Sequence, residues 1–485
     1  MIAFAIAAAA CGQNPNVTLR LHQDAAAVGV PVLASSAGVA EVIAARIPVV
    51  MRHQQSTALH GWSRAFAWRP AVLAAKGNKG QLDFFVQPRT THGGKAIFTS
   101  TFASDSDRRE KGTNGGMAIE RHRLAEFAAC AAAGSACETH MFTKMVLGNL
   151  GHDLAADLPL EHSPFRVVET APGRVEPKRR PSMARQMLQR HGFAGGDHDL
   201  WVGTQGSVST LHYDLQHNFY VNLFGAKQFV LMRPGPHAPL HPATGPCQRQ
   251  ARNASAVLGG DDDDAAAPKR LWHVTLSVGD VLYIPPLWLH SGSVLSGGGA
   301  IAASVCSASL EEARIDALHR SAIPFEAEWS CEANRRALVR LLAALGGVLR
   351  PAGVAADPGA VLRARYPLEA RTTAFELRTD GRGTGHDDPC ALVCADHKPR
   401  RGDPTLSVGG RGGTTNDEDD PAASRDGLAK LRSGAERLGA RVAEIASFSS
   451  PEAAQVVLDD LIEAWAQFFF GDVAAFLKCA AAEYP

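Results

Sequence analysis

Ser209-Thr-Leu-His-Tyr-Asp-Leu-Gln-His-Asn218 and, further along, Gly279-Asp-Val-Leu-Tyr-Ile-Pro-Pro-Leu-Trp-Leu-His290 are the stretches on which the reading of this chain turns. The first carries His212 and Asp214, the second His290. Two histidines and one carboxylate are the set that holds non-heme Fe(II) on one face, with coordination positions left open. The His-x-Asp pattern by itself carries little weight. With 19 histidines in 485 residues, about one chance match is expected, and His22-Gln-Asp24 and His386-Asp-Asp388 also fit.

Context separates the three. His212 precedes two strand-like runs, Phe219-Tyr-Val-Asn-Leu-Phe224 and Gln228-Phe-Val-Leu-Met232, hinged at Gly225-Ala-Lys227. Positions i and i+2 of a strand share a face, so His212 and Asp214 are expected to point together into a barrel. His22 precedes an alanine-rich stretch and His386 sits among Gly, Asp and Pro. In the second segment Gly279-Asp280 signals a turn and Val281-Leu-Tyr-Ile284 a strand. Pro285-Pro286 then ends regular pairing, because proline has no N–H for the ladder, and His290 follows on a corner bearing Trp288. Each residue also has a plainer reading: His212 and Asp214 as surface groups, His290 as a packed loop histidine. His217 is taken as structural.

The paired segments resemble the Jumonji-C (cupin-like) family of Fe(II)- and 2-oxoglutarate-dependent oxygenases. Within it, they are most similar to the asparaginyl hydroxylase acting on hypoxia-inducible factor and to the small Jumonji-C protein hydroxylases. The matching stretches are Leu200-Trp-Val-Gly203, Ser209 to Pro234 and Val278 to Cys306, with Arg46-Ile-Pro-Val-Val-Met-Arg52 resembling the strand that opens such domains. The resemblance implies a mainly β core, a double-stranded β-helix of jelly-roll or cupin type, with flanking α-helices and a helical C-terminal region. It implies His212, Asp214 and His290 as iron ligands. It also implies Ser209, Asn218 and Lys227 at the 2-oxoglutarate cosubstrate, with Lys227 pairing the far carboxylate as a compact point charge. Where the family ends the site with Asn-Phe-Trp, this chain has Ser304-Val-Cys306. Ser304 stands for the asparagine, and the aromatic is missing.

Composition bounds the rest. A hydrophobic fraction of 45% and a charged fraction of 20% are ordinary for a globular chain, and a net charge of zero supplies no basic field for nucleic acid. Lys178-Arg-Arg180 is a solvated loop on this reading. The nine cysteines are odd in number and scattered, which argues for free thiols in a reducing, cytoplasmic or nuclear setting. Cys390-Ala-Leu-Val-Cys394, near His386 and His397, does not have a standard zinc spacing and reads as chance. Met1 to Cys11 is apolar but lacks a basic n-region and is too short to span a bilayer, so a soluble protein is expected.

The expected organisation is a small-residue-rich N-terminal segment (1–45), an oxygenase domain (46–310) with an acidic insertion at about 243–270, a helical extension (311–394), a linker (395–427) and C-terminal helices (428–485). Residues 117–160 read as helical, through Glu120 to Phe127 and Met141 to Leu147. The final helix carries Leu458, Leu461, Ile462, Trp465, Phe468 and Phe469, a face that serves as packed core or as a homodimer surface. The expected partners are O2 and a protein or peptide substrate. A protein side-chain hydroxylase is favoured because no paired Cys-x-x-Cys reader motif accompanies the barrel. A lysine demethylase, a tRNA-modifying oxygenase and a non-catalytic cupin-like binding module are the competing readings.

Overall fold

In the computed structural model, the residues described are 21–22, 30–33, 39–52, 61–77, 79–89, 96–98, 118–146, 152–158, 165, 198–209, 212–235, 240–242, 249–251, 272–319, 329–365, 390, 393–394, 424–470 and 473–483. The chain divides into two units, residues 1–233 with 243–313, and residues 234–242 with 314–485. Lys178-Arg-Arg180, Asp261-Asp-Asp-Asp264, His386, His397 and most of the expected linker lie outside the described residues.

The first unit is built on two sheets. Its strands are β1 (Leu21–His22), β2 (Val32–Leu33), β3 (Val49–Met51), β4 (Leu82–Pro88), β5 (Ala96–Phe98), β6 (Ala118–His122), β7 (Thr139–Val146), β8 (His198–Gly203), β9 (Ser207–Ser209), β10 (His217–Phe224) and β11 (Lys227–Met232). After β12 (Leu240–Pro242) and β13 (Arg249–Ala251), which belong to neither sheet, come β14 (Trp272–Leu276), β15 (Val281–Ile284), β16 (Leu289–Val294) and β17 (Ala300–Ser307). The larger sheet runs β1-β2-β3-β15-β10-β17-β8-β7-β4-β6 and the smaller β14-β11-β16-β9-β5. The pairings are antiparallel except β2 with β3 and β5 with β9.

Strand β10 explains the arrangement. It is buried along nearly its whole length, on both faces, although it carries His217, Asn218 and Asn222 among its apolar residues. Phe219, Val221 and Leu223 face a core shared with the helices α1 (Val39–Ala45), α2 (Pro70–Lys76) and α3 (Leu124–Ala133). Tyr220 faces the other way, toward Phe229, Leu231, Val274 and Leu276 of the smaller sheet. Burying each such large side chain contributes about 1.5–3 kcal/mol. The chain steps between the sheets at tight turns: β10 to β11 through Gly225, and β16 to β17 through Gly299. Gly225 has φ 74°, and a Cβ there would lie 2.3 Å from the Gly299 carbonyl oxygen, so only glycine fits. This alternation makes the expected double-stranded β-helix, and the space between its sheets is the barrel interior.

Two local expectations are corrected. Met141 to Val146 is strand β7, not helix; Met141, Phe142 and Thr143 are all buried between β4 and β8. Glu120 to His122 is the end of β6, and helix α3 starts only at Leu124.

A short helix α4 (His152–Ala155) follows β7, and α5 (Leu310–His319) spans the boundary between the units. The second unit holds α6 (Cys331–Leu349), α7 (Pro358–Arg365), α8 (Arg425–Phe448), α9 (Pro451–Phe470) and α10 (Val473–Glu483). Side-chain oxygens cap three of them: Ser330 accepts from the Ala333 N–H at 3.1 Å, Ser424 from Gly427 at 2.9 Å and Ser450 from Ala453 at 3.1 Å. Leu458, Leu461, Ile462 and Trp465 are buried inside this unit, so that apolar face serves as core. Arg365, 2% exposed, lies against Asp459, Asp460 and Glu463 of α9. Among the described residues, no helix is long and apolar enough to cross a membrane.

The cysteines overturn the free-thiol expectation. Among the described residues, Cys130 is bonded to Cys137, Cys331 to Cys394 and Cys390 to Cys479. Separations of 63 and 89 residues for the second and third bonds hid the pairing, because the fold and not the spacing brings those sulfurs together. Such pairing fits folding under oxidising conditions.

Candidate metal centre

His212 and Asp214 do not sit on a regular strand, contrary to the i, i+2 expectation. His212 forms an isolated bridge to His290 on β16: its N–H donates to the His290 carbonyl at 3.1 Å, and the His290 N–H donates back at 2.7 Å. The chain then loops through Asp214 before β10 starts. The Pro285-Pro286 corner, with Leu287 at φ 66°, brings the second segment alongside, and the Leu287 N–H donates to the Asp214 carbonyl at 2.8 Å. Backbone hydrogen bonds thus tie both ligand-bearing segments together.

The result is a compact donor set. One ligand atom from each of His212, Asp214 and His290 lies within 4.8 Å of the others. The imidazole centroids of His212 and His290 are 4.3 Å apart, and His290 Nε2 is 3.6 Å from Asp214 Oδ2. His290 Nδ1 donates to the Trp288 carbonyl at 3.0 Å, which fixes the tautomer and leaves Nε2 as the metal-facing lone pair. Burial first, and the neighbouring His212 second, push the His290 pKa down to about 4. The ring is therefore unprotonated near neutrality, as a ligand must be.

The larger sheet lines the rest of the interior. Asn218 pairs with Cys306 and Tyr220 with Ser304 across β10 and β17, and directly opposed residues share a face. Asn218 Nδ2 donates to Asp214 Oδ2 at 3.5 Å, while its buried Oδ1 has no hydrogen-bond partner among the described residues. Such an acceptor suits a water held on a metal. Lys227, 5% exposed, opens β11. Its ammonium donates to the Tyr220 hydroxyl and lies 4.8 Å from that ring's centroid and 5.8 Å from that of Phe229. Among the described residues it has no ion-pair partner, and burial lowers its pKa to about 7. A buried cation without an anion is costly, so the donor set and Lys227 together fit a metal ion plus an anionic cosubstrate. Burial raises the Tyr220 pKa well above the usual range; its phenol stays protonated and, accepting from Lys227, has its own O–H to donate. Tyr220 was missed in the sequence, although Asn218-Phe-Tyr220 places it at the i+2 position that shares Asn218's face.

Two expected residues are committed differently. Ser209 accepts from the Gly292 N–H at 2.9 Å and donates to the Gly292 carbonyl at 3.3 Å, so its hydroxyl ties β9 to β16. Ser304 accepts from the indole N–H of Trp201 at 2.8 Å. His217 is fully buried beside the Tyr283 hydroxyl, 2.9 Å from its Nδ1, which fits a structural residue. In the second unit Cys390, Cys479 and Glu483 also cluster. The two sulfurs are bonded to each other, and Arg335 Nη1 sits 3.0 Å from Cys479 Sγ, where a metal cation would have to go.

The chain is 34% identical over 95 residues to Jumonji C domain-containing protein 5 of Drosophila melanogaster, covering 19% of this chain and 24% of that protein. It is 32% identical over 104 residues to tRNA wybutosine-synthesizing protein 4 of Neurospora crassa, covering 21% and 8%. It is 26% identical over 136 residues to lysine-specific demethylase JMJ32 of Arabidopsis thaliana, covering 22% and 39%. The matches thus span well under half the length of these relatives. The profile of the cupin-like domain matches residues 35–305, more than half of the chain; the chain belongs to the cupin-like domain family.

Proposed function

We propose that the protein is an Fe(II)- and 2-oxoglutarate-dependent oxygenase that hydroxylates a side chain of a protein or peptide. The observation that carries this reading is the buried Lys227, which has no anionic partner among the described residues, on the barrel interior that also holds the His212/Asp214/His290 set. With iron, 2-oxoglutarate and O2 bound, the centre would supply oxidative decarboxylation to succinate and CO2 coupled to oxygenation of a C–H bond. The chain's own residues do the rest. His212, Asp214 and His290 hold the metal. The Trp288 carbonyl orients His290. Lys227 and the Tyr220 hydroxyl receive the far carboxylate, and the apolar Phe229 and Leu231 keep water from that contact. Ser209 acts through the β9–β16 backbone, and Ser304 through Trp201.

The relatives carry names that include a lysine demethylase and a tRNA-modifying protein. Hydroxylation of an N-methyl group releases formaldehyde, so formaldehyde assay on methylated peptides separates demethylation from side-chain hydroxylation. Kinship with the asparaginyl hydroxylase rests on Asn218 and Lys227. The His212/Asp214/His290 set together with Lys227 argues against a non-catalytic cupin module.

Lys227 gives a pH test. The dicarboxylate requires the ammonium form, and free Lys227 loses its proton near pH 7. Above that pH, binding takes up a proton, so the apparent Kd for 2-oxoglutarate is expected to rise by about tenfold per pH unit, levelling off at the pKa of the bound state. Lys227→Met is expected to weaken binding by roughly 30-fold or more at pH 6.5 and to flatten the pH profile. Titration of the metal-loaded protein under argon measures both. A parent Kd independent of pH from 6 to 9 would remove Lys227 from the cosubstrate site.

A further inference from the structure

The geometry points to Arg46 and Trp288 as a clamp that positions the metal ligands. It rests on the metal reading above. Arg46 follows α1 in a left-handed conformation, φ 48°, a strained backbone that a non-glycine residue keeps only where its surroundings hold it there. Those surroundings are specific. The Arg46 carbonyl accepts the Trp288 indole N–H at 3.2 Å. Its Nη1 is 3.1 Å from His217 Nε2, and its Nε is 3.4 Å from the carboxylate of Glu311, a residue with no exposed surface. Because the guanidinium only donates, His217 accepts at Nε2 and donates from Nδ1 to the Tyr283 hydroxyl, 2.9 Å away.

Both ligand-bearing segments therefore converge on one residue. His217 lies three residues after Asp214. Trp288 is the residue whose carbonyl orients His290. Tyr283 belongs to β15, directly before the Pro285-Pro286 corner. The indole is further held against Trp272 at 5.1 Å between centroids and beneath the Arg233 guanidinium at 5.9 Å. Arg46 thus fixes how far the Asp214 loop stands from the His290 corner while touching neither metal-binding atom. Outer partners of this kind typically change metal affinity by 10–100-fold when removed.

The test is Co(II) binding to the full chain, followed by visible absorption, for the parent, Trp288→Phe and Arg46→Lys. Phenylalanine keeps a ring but removes the N–H; lysine keeps a cation for Glu311 but cannot also reach His217. The expected result is at least about tenfold weaker Co(II) binding with an altered ligand-field spectrum in both variants, at a metal-free unfolding midpoint within a few degrees of the parent. A purely structural role would lower the midpoint and leave the spectrum of the bound metal unchanged. Variants that bind Co(II) as the parent does, with the same spectrum, overturn the clamp. A parent that binds no Co(II) overturns the metal reading itself. Should the phenylalanine variant fail to fold, the lysine variant decides on the same criteria.

Discussion

Asp214→Ala is expected to reduce Fe(II)-dependent turnover of 2-oxoglutarate by about a thousandfold or more, equivalent to roughly 4 kcal/mol of transition-state stabilisation. The carboxylate is the one anionic ligand in the His212/Asp214/His290 set. Without it two imidazoles, 4.3 Å apart between centroids, are left to face a dication with no compensating charge. The substitution should not disturb the fold. The Asp214 side chain is 28% exposed, and the contact that ties its loop to the corner uses its backbone carbonyl, which alanine keeps. Succinate production by the parent and the variant, with circular dichroism of both, measures the effect. Turnover in the variant within tenfold of the parent would remove Asp214 from the metal centre.

Reduction of the disulfides is expected to destabilise the second unit far more than the first. Cys331, the first residue of α6, is bonded to Cys394, and Cys479 of α10 to Cys390, with separations of 63 and 89 residues. On the chain-entropy model each such closure restricts the unfolded state by about 4 kcal/mol. The two loops overlap between Cys390 and Cys394, so their contributions are not simply additive. Cys130–Cys137 closes a separation of only 7 residues, for which the same model gives about 2–3 kcal/mol. Calorimetry with and without dithiothreitol should show the transition of residues 314–485 moving down strongly and that of the β unit moving less. Alkylation of the unfolded, unreduced chain should label at most three of the nine cysteines: Cys306, and Cys11 and Cys247, which lie outside the described residues. A thermogram unaffected by reductant, or more than three labels, would contradict the pairing.

Much of the centre was legible because its residues combine rare types with rigid punctuation. His212, Asp214 and Lys227 flank a strand–glycine–strand hairpin, and Pro285-Pro286 fixes where His290 emerges. What escaped depends on tertiary context. Met141 to Val146 was read as helical because a strand inside a sheet buried on both faces loses the period-2 alternation that would identify it. Ser209 looked free to bind a ligand, but its hydroxyl is occupied by the Gly292 backbone across the smaller sheet. Tyr220 was part of a strand-like run and nothing more, because what marks it is the Lys227 ammonium reaching its hydroxyl from the neighbouring sheet. The left-handed backbone at Arg46 and the Cys331–Cys394 and Cys390–Cys479 disulfides leave no local trace, because each is imposed by partners distant in sequence.

The most direct test of the proposed centre is an anaerobic titration of the purified chain with Fe(II) and 2-oxoglutarate, followed by visible absorption. The expected result is a charge-transfer band that requires both additions, vanishes in His212→Ala and weakens in Lys227→Ala. A folded parent that shows no band would contradict the metal-and-dicarboxylate assignment, and leave the barrel as a binding module.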